Sequence, residues 1–229
     1  MPSPLKVISS MATKQVLAEL IAQYHDTGAS RVELEAVGGV DAAKRVQAGE
    51  AFDVIVLAAN VIDQLTGSGN VVAGTRADLV RSGVAVAVRE DAPKPDIGTE
   101  DALKQAVLAA KSLSYSTGPS GTHLMKVFER WGIADQVKSR MVQAQPGIPV
   151  GSLIAKGEAE LGFQQFSELM HLKGISVLGP LPPEIQIITT FSGGLAATST
   201  DPAAARALLA FLASPAASAA KVRNGMEAA

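Results

Sequence analysis

Residues Ser112–Ile133 read "SLSYSTGPSGTHLMKVFERWGI", and three local patterns follow one another within them. "SLSY" is a short run of strand type. "STGPSGTHL" (Ser116–Leu124) is built from small and polar residues. "MKVFERWGI" repeats its apolar residues at helical spacing. Strand, small-residue loop and helix in succession are one step of an α/β fold. The loop's amides then point outward at a helix N-terminus, where an anion is well placed. An ordinary helix cap uses the same residues, because Ser, Thr and Gly are preferred at any helix start.

The same alternation runs along the chain in both directions. Upstream, "LKVIS" (Leu5–Ser9) reads as a strand, and Val16, Leu17, Leu20, Ile21 and Tyr24 share one helical face. "VELEA" (Val32–Ala36) is a second strand, and "DAAKRVQAG" a short helix ending at Gly49. "DVIVLA" (Asp53–Ala58) and "VAVAV" (Val84–Val88) are continuous apolar runs, the pattern of strands buried on both faces. "REDAPKPDIGTED" interrupts with two prolines and several charges, and leads to Thr99 as an N-cap with Glu100 and Asp101 in the first turn. A helix to about Lys111 follows. Downstream, "GSLIAKGEAELGFQQFSEL" reads as helix, turn at Gly157, strand over Leu161–Gln164 and a further helix. "ISVL", "IQIIT" and "GLAATS" supply the remaining strands. Asp201-Pro202 and Ser214-Pro215 each start a helix as cap and first-turn proline.

Strands alternating with helices predict βαβ units. The break after Val88 and the proline-rich "GPLPPE" (Gly179–Glu184) bracket a middle section. Read as crossovers, they divide the chain into lobe 1 (1–85 and 184–229) and an inserted lobe 2 (86–183). Ligands of such architectures bind between lobes, at strand C-termini and helix N-termini.

Composition narrows the chemistry. Lysine and arginine total 20 against 22 acidic residues, for a net charge of −2 with no basic cluster, so a nucleic-acid partner has no electrostatic footprint. With no cysteine, disulfides, zinc–thiolate sites and cysteine nucleophiles are excluded. His25, His123 and His171 stand far apart, without the helical spacing of a metal-ligand pair, so no metal is expected. No phosphate-binding P-loop and no dinucleotide fingerprint follows a strand, and no cofactor is expected. "GPSGT" lacks the glycine two residues after Ser120 that a serine nucleophile elbow requires. No apolar run reaches the length that spans a bilayer, so no membrane insertion is expected. "MPSPLKVISSMATK" is not a secretory signal; this predicts a cytoplasmic protein if Met1 is native, and a periplasmic one if a signal has been removed.

What remains is a set of loops of small polar residues beside helix starts: "SSMAT" (Ser9–Thr13), "VGGVD" (Val37–Asp41), Ser116–Leu124, "PGIPVG" (Pro146–Gly151) and "FQQFS" (Phe163–Ser167). Each offers backbone N–H groups with little side-chain obstruction, as a small anion requires. Taken singly, each is also a normal cap.

The order of these loops, with "GEAFDVIVLA" (Gly49–Ala58), "GPSGTHLMKVFERWGI" (Gly118–Ile133) and "KGEAELGFQQFSEL" (Lys156–Leu169), resembles the molybdate-binding-protein family of ABC importers over Leu5–Ala217. The resemblance implies an α/β, two-lobed type 2 periplasmic-binding-protein fold, each lobe a mixed sheet flanked by helices, with two crossovers. In that family, serines of the first two strand–helix loops, backbone amides of the second lobe and a tyrosine hold the oxyanion. Carried over, the serines fall near Ala12 and Gly39, which have no hydroxyl; the amides fall on Ser120 and near Gly147, and the tyrosine on Gln165. Each lost hydrogen bond to a charged oxyanion costs about 1.5–3 kcal/mol. These losses count against molybdate; an organic di- or tricarboxylate is what the resemblance to the branch named below implies. The expected ligand contacts are Ser9, Ser10, Met11, Ala12, Gly38, Gly39, Ser120, Gly121, Thr122 and Gly147, with Gln164 and Gln165 as neutral amide donors. The "FQQxSEL" pattern is similar to a divergent branch of the family that includes aconitate isomerase.

Two readings follow. A binding module closes on a small anion and, if exported, docks on an ABC permease. An isomerase on the same scaffold moves a proton in an unsaturated carboxylate and needs a base near the carbon acid. His123, one turn past the loop, and Tyr115, at the strand end, are the candidates for that base; a solvent-exposed histidine and a packed tyrosine are the plain alternatives.

Overall fold

The computed structural model describes residues 3–229. In chain order the elements are β1 (Leu5–Ser10), α1 (Lys14–Asp26), β2 (Val32–Val37), α2 (Gly39–Gln47), β3 (Val54–Ala58), α3 (Ala59–Gly67) and the long β4 (Ala77–Arg89). Then come α4 (Glu100–Ala109), β5 (Leu113–Tyr115), α5 (Pro119–Arg130), α6 (Ala134–Val137), β6 (Met141–Gln143), α7 (Val150–Ala155), β7 (Leu161–Gln165), α8 (Phe166–Leu169) and β8 (Ile175–Pro180). The chain ends with β9 (Ile188–Leu195), α9 (Pro202–Ala213), α10 (Ser218–Arg223) and β10 (Glu227–Ala228).

The chain forms two compact units, one of residues up to Ser82 with Thr189–Ala229, the other of Gly83–Ile188. The changes of unit thus fall inside β4 and at the start of β9, against 85/86 and 183/184 expected from the sequence. A strand can carry such a change because its hydrogen-bonding partners change along its length while its backbone stays extended. The Val80 and Arg81 positions of β4 pair antiparallel with β10, whereas Val84–Val88 pair antiparallel with β7.

In the first unit β1 lies between β2 and β3, both parallel to it, and β9 runs antiparallel to β3. The α1 face foreseen from periodicity is the buried one: Val16, Leu17, Leu20, Ile21 and Tyr24 all pack into the core with α9. The Tyr24 and Phe211 rings meet at 5.2 Å. Each such side chain contributes roughly 1.5–3 kcal/mol on burial. Asp53 fastens the strand starts, accepting from Lys6 N–H (2.9 Å), Ser199 Oγ (2.7 Å) and Thr200 N–H (3.2 Å).

In the second unit β5 lies between β6 and β7, all parallel, and the end of β4 pairs antiparallel with both β7 and β8. Phe128 of α5 meets Phe163 of β7 edge-on at 6.1 Å. Thr99 caps α4 as expected, its hydroxyl accepting from Ala102 N–H, and Asp201 caps α9 through Ala204 N–H.

Several expected elements differ. "IQIIT" and "GLAATS" are not two strands; only Ile188–Leu195 is extended and paired. Gln186 uses its side chain where a strand would use its backbone, accepting from Val84 N–H at 3.0 Å and donating to Val84 O at 3.2 Å. Beyond Leu195 the chain turns, with Ala196 N–H donating to Asp53 O and Ala197 N–H to Asn70 O. "VAVAV" is the end of a strand that begins at Ala77. Pro215 opens a 3-10 turn, and α10 starts at Ser218. Helix α3, not anticipated, turns only Ile62 and Leu65 fully inward, too sparse a stripe to be seen in the sequence. Among the described residues no single helix is long and apolar enough to cross a membrane.

Candidate functional site

Parallel strands deliver their carboxyl ends to one edge of a sheet, and the loops that follow gather there. In the first unit, Ser10 of β1 lies opposite Val37 of β2. A Cβ on Gly39 would stand 3.7 Å from that of Ser10, so the "SSMAT" and "VGGVD" loops touch. Ser10, Met11, Ala12, Gly38 and Gly39 are therefore neighbours. Their hydroxyls are engaged locally: Thr13 Oγ1 donates to Ser10 O at 3.1 Å and lies 3.5 Å from Ser10 Oγ. Ser9 is fully enclosed within β1 and donates to Ser10 O at 3.2 Å. It belongs to the strand's packing, and Ser10 is the better placed hydroxyl.

In the second unit, β5 and β7 lie side by side with Tyr115 opposite Phe163. Their carboxyl ends lead into α5 and α8. Ser120, in the first turn of α5, is buried, its Oγ 3.0 Å from Ser116 Oγ. Gly121 lies directly against the Ser116 carbonyl. Thr122 and His123 are exposed on the next half-turn, and Tyr115 is half-buried against the unit's core. His123 and Tyr115 sit on the same strand-to-helix connection, but among the described residues neither side chain has a hydrogen-bond partner there.

The helix read from "GSLIAK" starts at Val150, but the amide contact expected near Gly147 is not on it. Gly147 occupies an exposed turn with φ 79°, closed by Ile148 N–H donating to Gln145 O. The first residue of α7 is Val150, and its N–H donates to Gln164 Oε1 at 2.8 Å. The reason is packing: Val150 and Ile154 are drawn onto Gly162 of β7, where a Cβ would meet them at 2.7 and 2.4 Å.

Gln164 is buried, and its Nε2 donates to Glu168 Oε2 at 2.7 Å. Glu168, in the short α8, was not among the residues singled out from sequence. Its carboxyl is largely enclosed, and burial pushes it up to about 7, with the Gln164 bond opposing. The available signal was a carboxylate four residues after a glutamine in "FQQFSEL", where every other side chain is neutral.

A family model described as bacterial extracellular solute-binding protein matches residues 5–227. The chain belongs to that family. This solute-binding-family chain is 38% identical over 218 residues to an aconitate isomerase of Pseudomonas sp, covering 92% of this chain and 82% of that protein. Its fold matches the periplasmic molybdate-binding protein of Azotobacter vinelandii at TM-score 0.80, with 19% identity over 97% of this chain and 98% of the other. It matches the sulfate-binding protein of Mycobacterium tuberculosis at TM-score 0.79, with 17% identity over 98% and 86%. The fold is the α/β type 2 periplasmic-binding-protein fold, with mixed sheets flanked by helices.

Proposed function

We propose that the chain is an isomerase that moves a proton within a small unsaturated polycarboxylate, in the manner implied by the name of its aconitate isomerase relative. The observation that carries this reading is the 38% identity to that enzyme across most of both chains. The site chemistry supports it. The buried Gln165 stands where the resemblance puts the oxyanion binders' tyrosine, and a planar carboxylate suits an amide donor; Gln164, expected as a second donor, is instead spent on Val150 N–H and Glu168. Within the second unit the proposed ligand contacts are Ser120, Gly121, Thr122 and Gln165; within the first, taken by itself, Ser10, Met11, Ala12, Gly38 and Gly39 offer a like set. The test is to mix the protein with cis- or trans-aconitate in D₂O and follow the proton spectrum. Interconversion with deuterium uptake above the buffer rate is expected. Stoichiometric binding without turnover removes the isomerase.

Membership of the solute-binding family favours a second reading, in which the same residues hold an organic anion for delivery to an ABC permease. Tight binding of a carboxylate with no chemical change is the result that supports it.

A further inference from the structure

An isomerase of the kind proposed above must take a proton from carbon and return it to another carbon. His123 and Tyr115 are poorly built for that: one projects from the exposed face of α5, and the other packs against the core of its unit. A carboxyl group stands at the same sheet edge. Helix α8 follows β7 without a linker, so Glu168 sits at the carboxyl end of β7, beside the end of β5.

Its partner is fixed at both ends. The Gln164 oxygen accepts from Val150 N–H, so its amide NH₂ is the group turned toward Glu168. A backbone donor thereby sets the orientation of the amide. One carboxyl oxygen, Oε2, is anchored by it at 2.7 Å. The other, Oε1, accepts no hydrogen bond from any described residue. Helix α8 packs chiefly against α7 and β7. Neither Val150–Ala155 nor Leu161–Gln165 contains a titratable side chain, and the nearest along the chain, His171 and Lys173, are exposed. Burial raises this carboxyl, and only the Gln164 hydrogen bond opposes it. It is poised where both forms are populated near neutrality, at about 7.

We propose that Glu168 is the acid–base group of the isomerase and that Gln164 is its positioning residue. The assignment rests on the isomerase reading. Oε1 takes a proton from the substrate's CH₂: the C–H bond breaks and an O–H bond forms. The released electron pair enters a new C=C as the old double bond opens toward its far carbon. That carbon takes the proton back from Glu168, the carboxylate is restored, and the double bond has moved by one position. The balance closes without a co-reactant.

The test uses the whole chain with trans-aconitate in D₂O, reading deuterium uptake by proton NMR and affinity by calorimetry. Glu168→Gln should cut uptake by about 10²–10⁴-fold, the usual share of a general acid–base group, and leave measurable affinity. Wild-type uptake should rise with pH to a plateau with its midpoint about 7. Gln164→Leu should move that midpoint upward, because the bond it deletes favours the ionised carboxylate. A residue with a purely structural role would not move it. If Glu168→Gln does not fold, Glu168→Asp serves in its place, and an unaltered rate and midpoint there overturn the assignment. Wild-type uptake matched by Glu168→Gln overturns the role of Glu168 and leaves the isomerase standing. No uptake by wild type overturns both.

Discussion

Gly121 and the Ser116 carbonyl are in such close contact that a Cβ on Gly121 would stand 1.9 Å from the carbonyl oxygen and 3.0 Å from the carbonyl carbon. The obstructing atoms are backbone at the end of β5, which is held by β6 on one side and β7 on the other. Helix α5 can start where it does only because residue 121 has no side chain.

Gly121→Ala should therefore destabilise the protein by about 1–3 kcal/mol, the usual cost of overpacking. It should also displace the Ser116–Ser120 turn. Urea unfolding and calorimetry with a polycarboxylate check the two effects, and a variant with wild-type stability and affinity contradicts the packing account.

Ser120 is the best-supported donor of the second unit, buried in the first turn of α5. Ser120→Asp brings a negative charge to the amides that would face an anion. Affinity for a polycarboxylate should fall well beyond tenfold, while Ser120→Ala should lose far less. Equal affinities in the two variants would place the anion elsewhere.

Glu168 also makes stability depend on pH. Its folded carboxyl titrates at about 7 against an ordinary 4.5, so the folded state binds the proton more tightly than the unfolded one. This contribution is fully present below about 4.5 and is lost as pH rises to about 7. Carboxyls held low by arginines, such as Glu19 and Glu35, act in the opposite sense. The difference between wild type and Glu168→Gln isolates the effect: the wild type should lose on the order of 2 kcal/mol relative to the variant between pH 4.5 and pH 7.5. A pH-independent difference, measured by urea unfolding, contradicts it.

Lys221 of α10 is 2% exposed and lines a cavity of about 10 Å³ with Thr13, Val16, Leu17, Leu20 and Leu212. No acceptor pairs with its amine among the described residues, and burial pushes its pKa down. The unfolded state thus binds this proton more tightly, and the cost to folding is greatest below the folded pKa and fades as pH rises toward 10.4. Lys221→Met keeps the length of the side chain and removes the amine. It should stabilise the protein by about 1–3 kcal/mol at pH 7, with a smaller gain at pH 10. A lower unfolding midpoint at pH 7 would show that the amine has a favourable role.

Much of the fold was legible because its signals are local. The α1 face from Val16 to Tyr24, the strand at Val54–Ala58 and the caps at Thr99 and Asp201 each depend on residues a few positions apart. Two of the misread strands share one cause. Residues Gln186 and Ala196 look strand-compatible, but their hydrogen bonds go to Val84 and Asp53, a hundred or more residues away in the chain. Gly147 was expected to offer an amide because the sequence does not reveal that the helix start is drawn onto Gly162 through Val150.

The site divides in the same way. By itself the sequence determined the family pattern, the absence of thiol chemistry and the loops of small residues that end β1, β2 and β5. Tertiary structure alone decided which groups in those loops are available. It shut Ser9 inside a strand, turned the Val150 amide onto the Gln164 side chain, and left one oxygen of Glu168 without a hydrogen bond from the described residues. The physical reason is that a polar group's availability depends on what else can reach it, and its competitors come from distant parts of the chain. Burial, which lifts the Glu168 carboxyl to about 7, is likewise a property of packing that residue order alone does not encode.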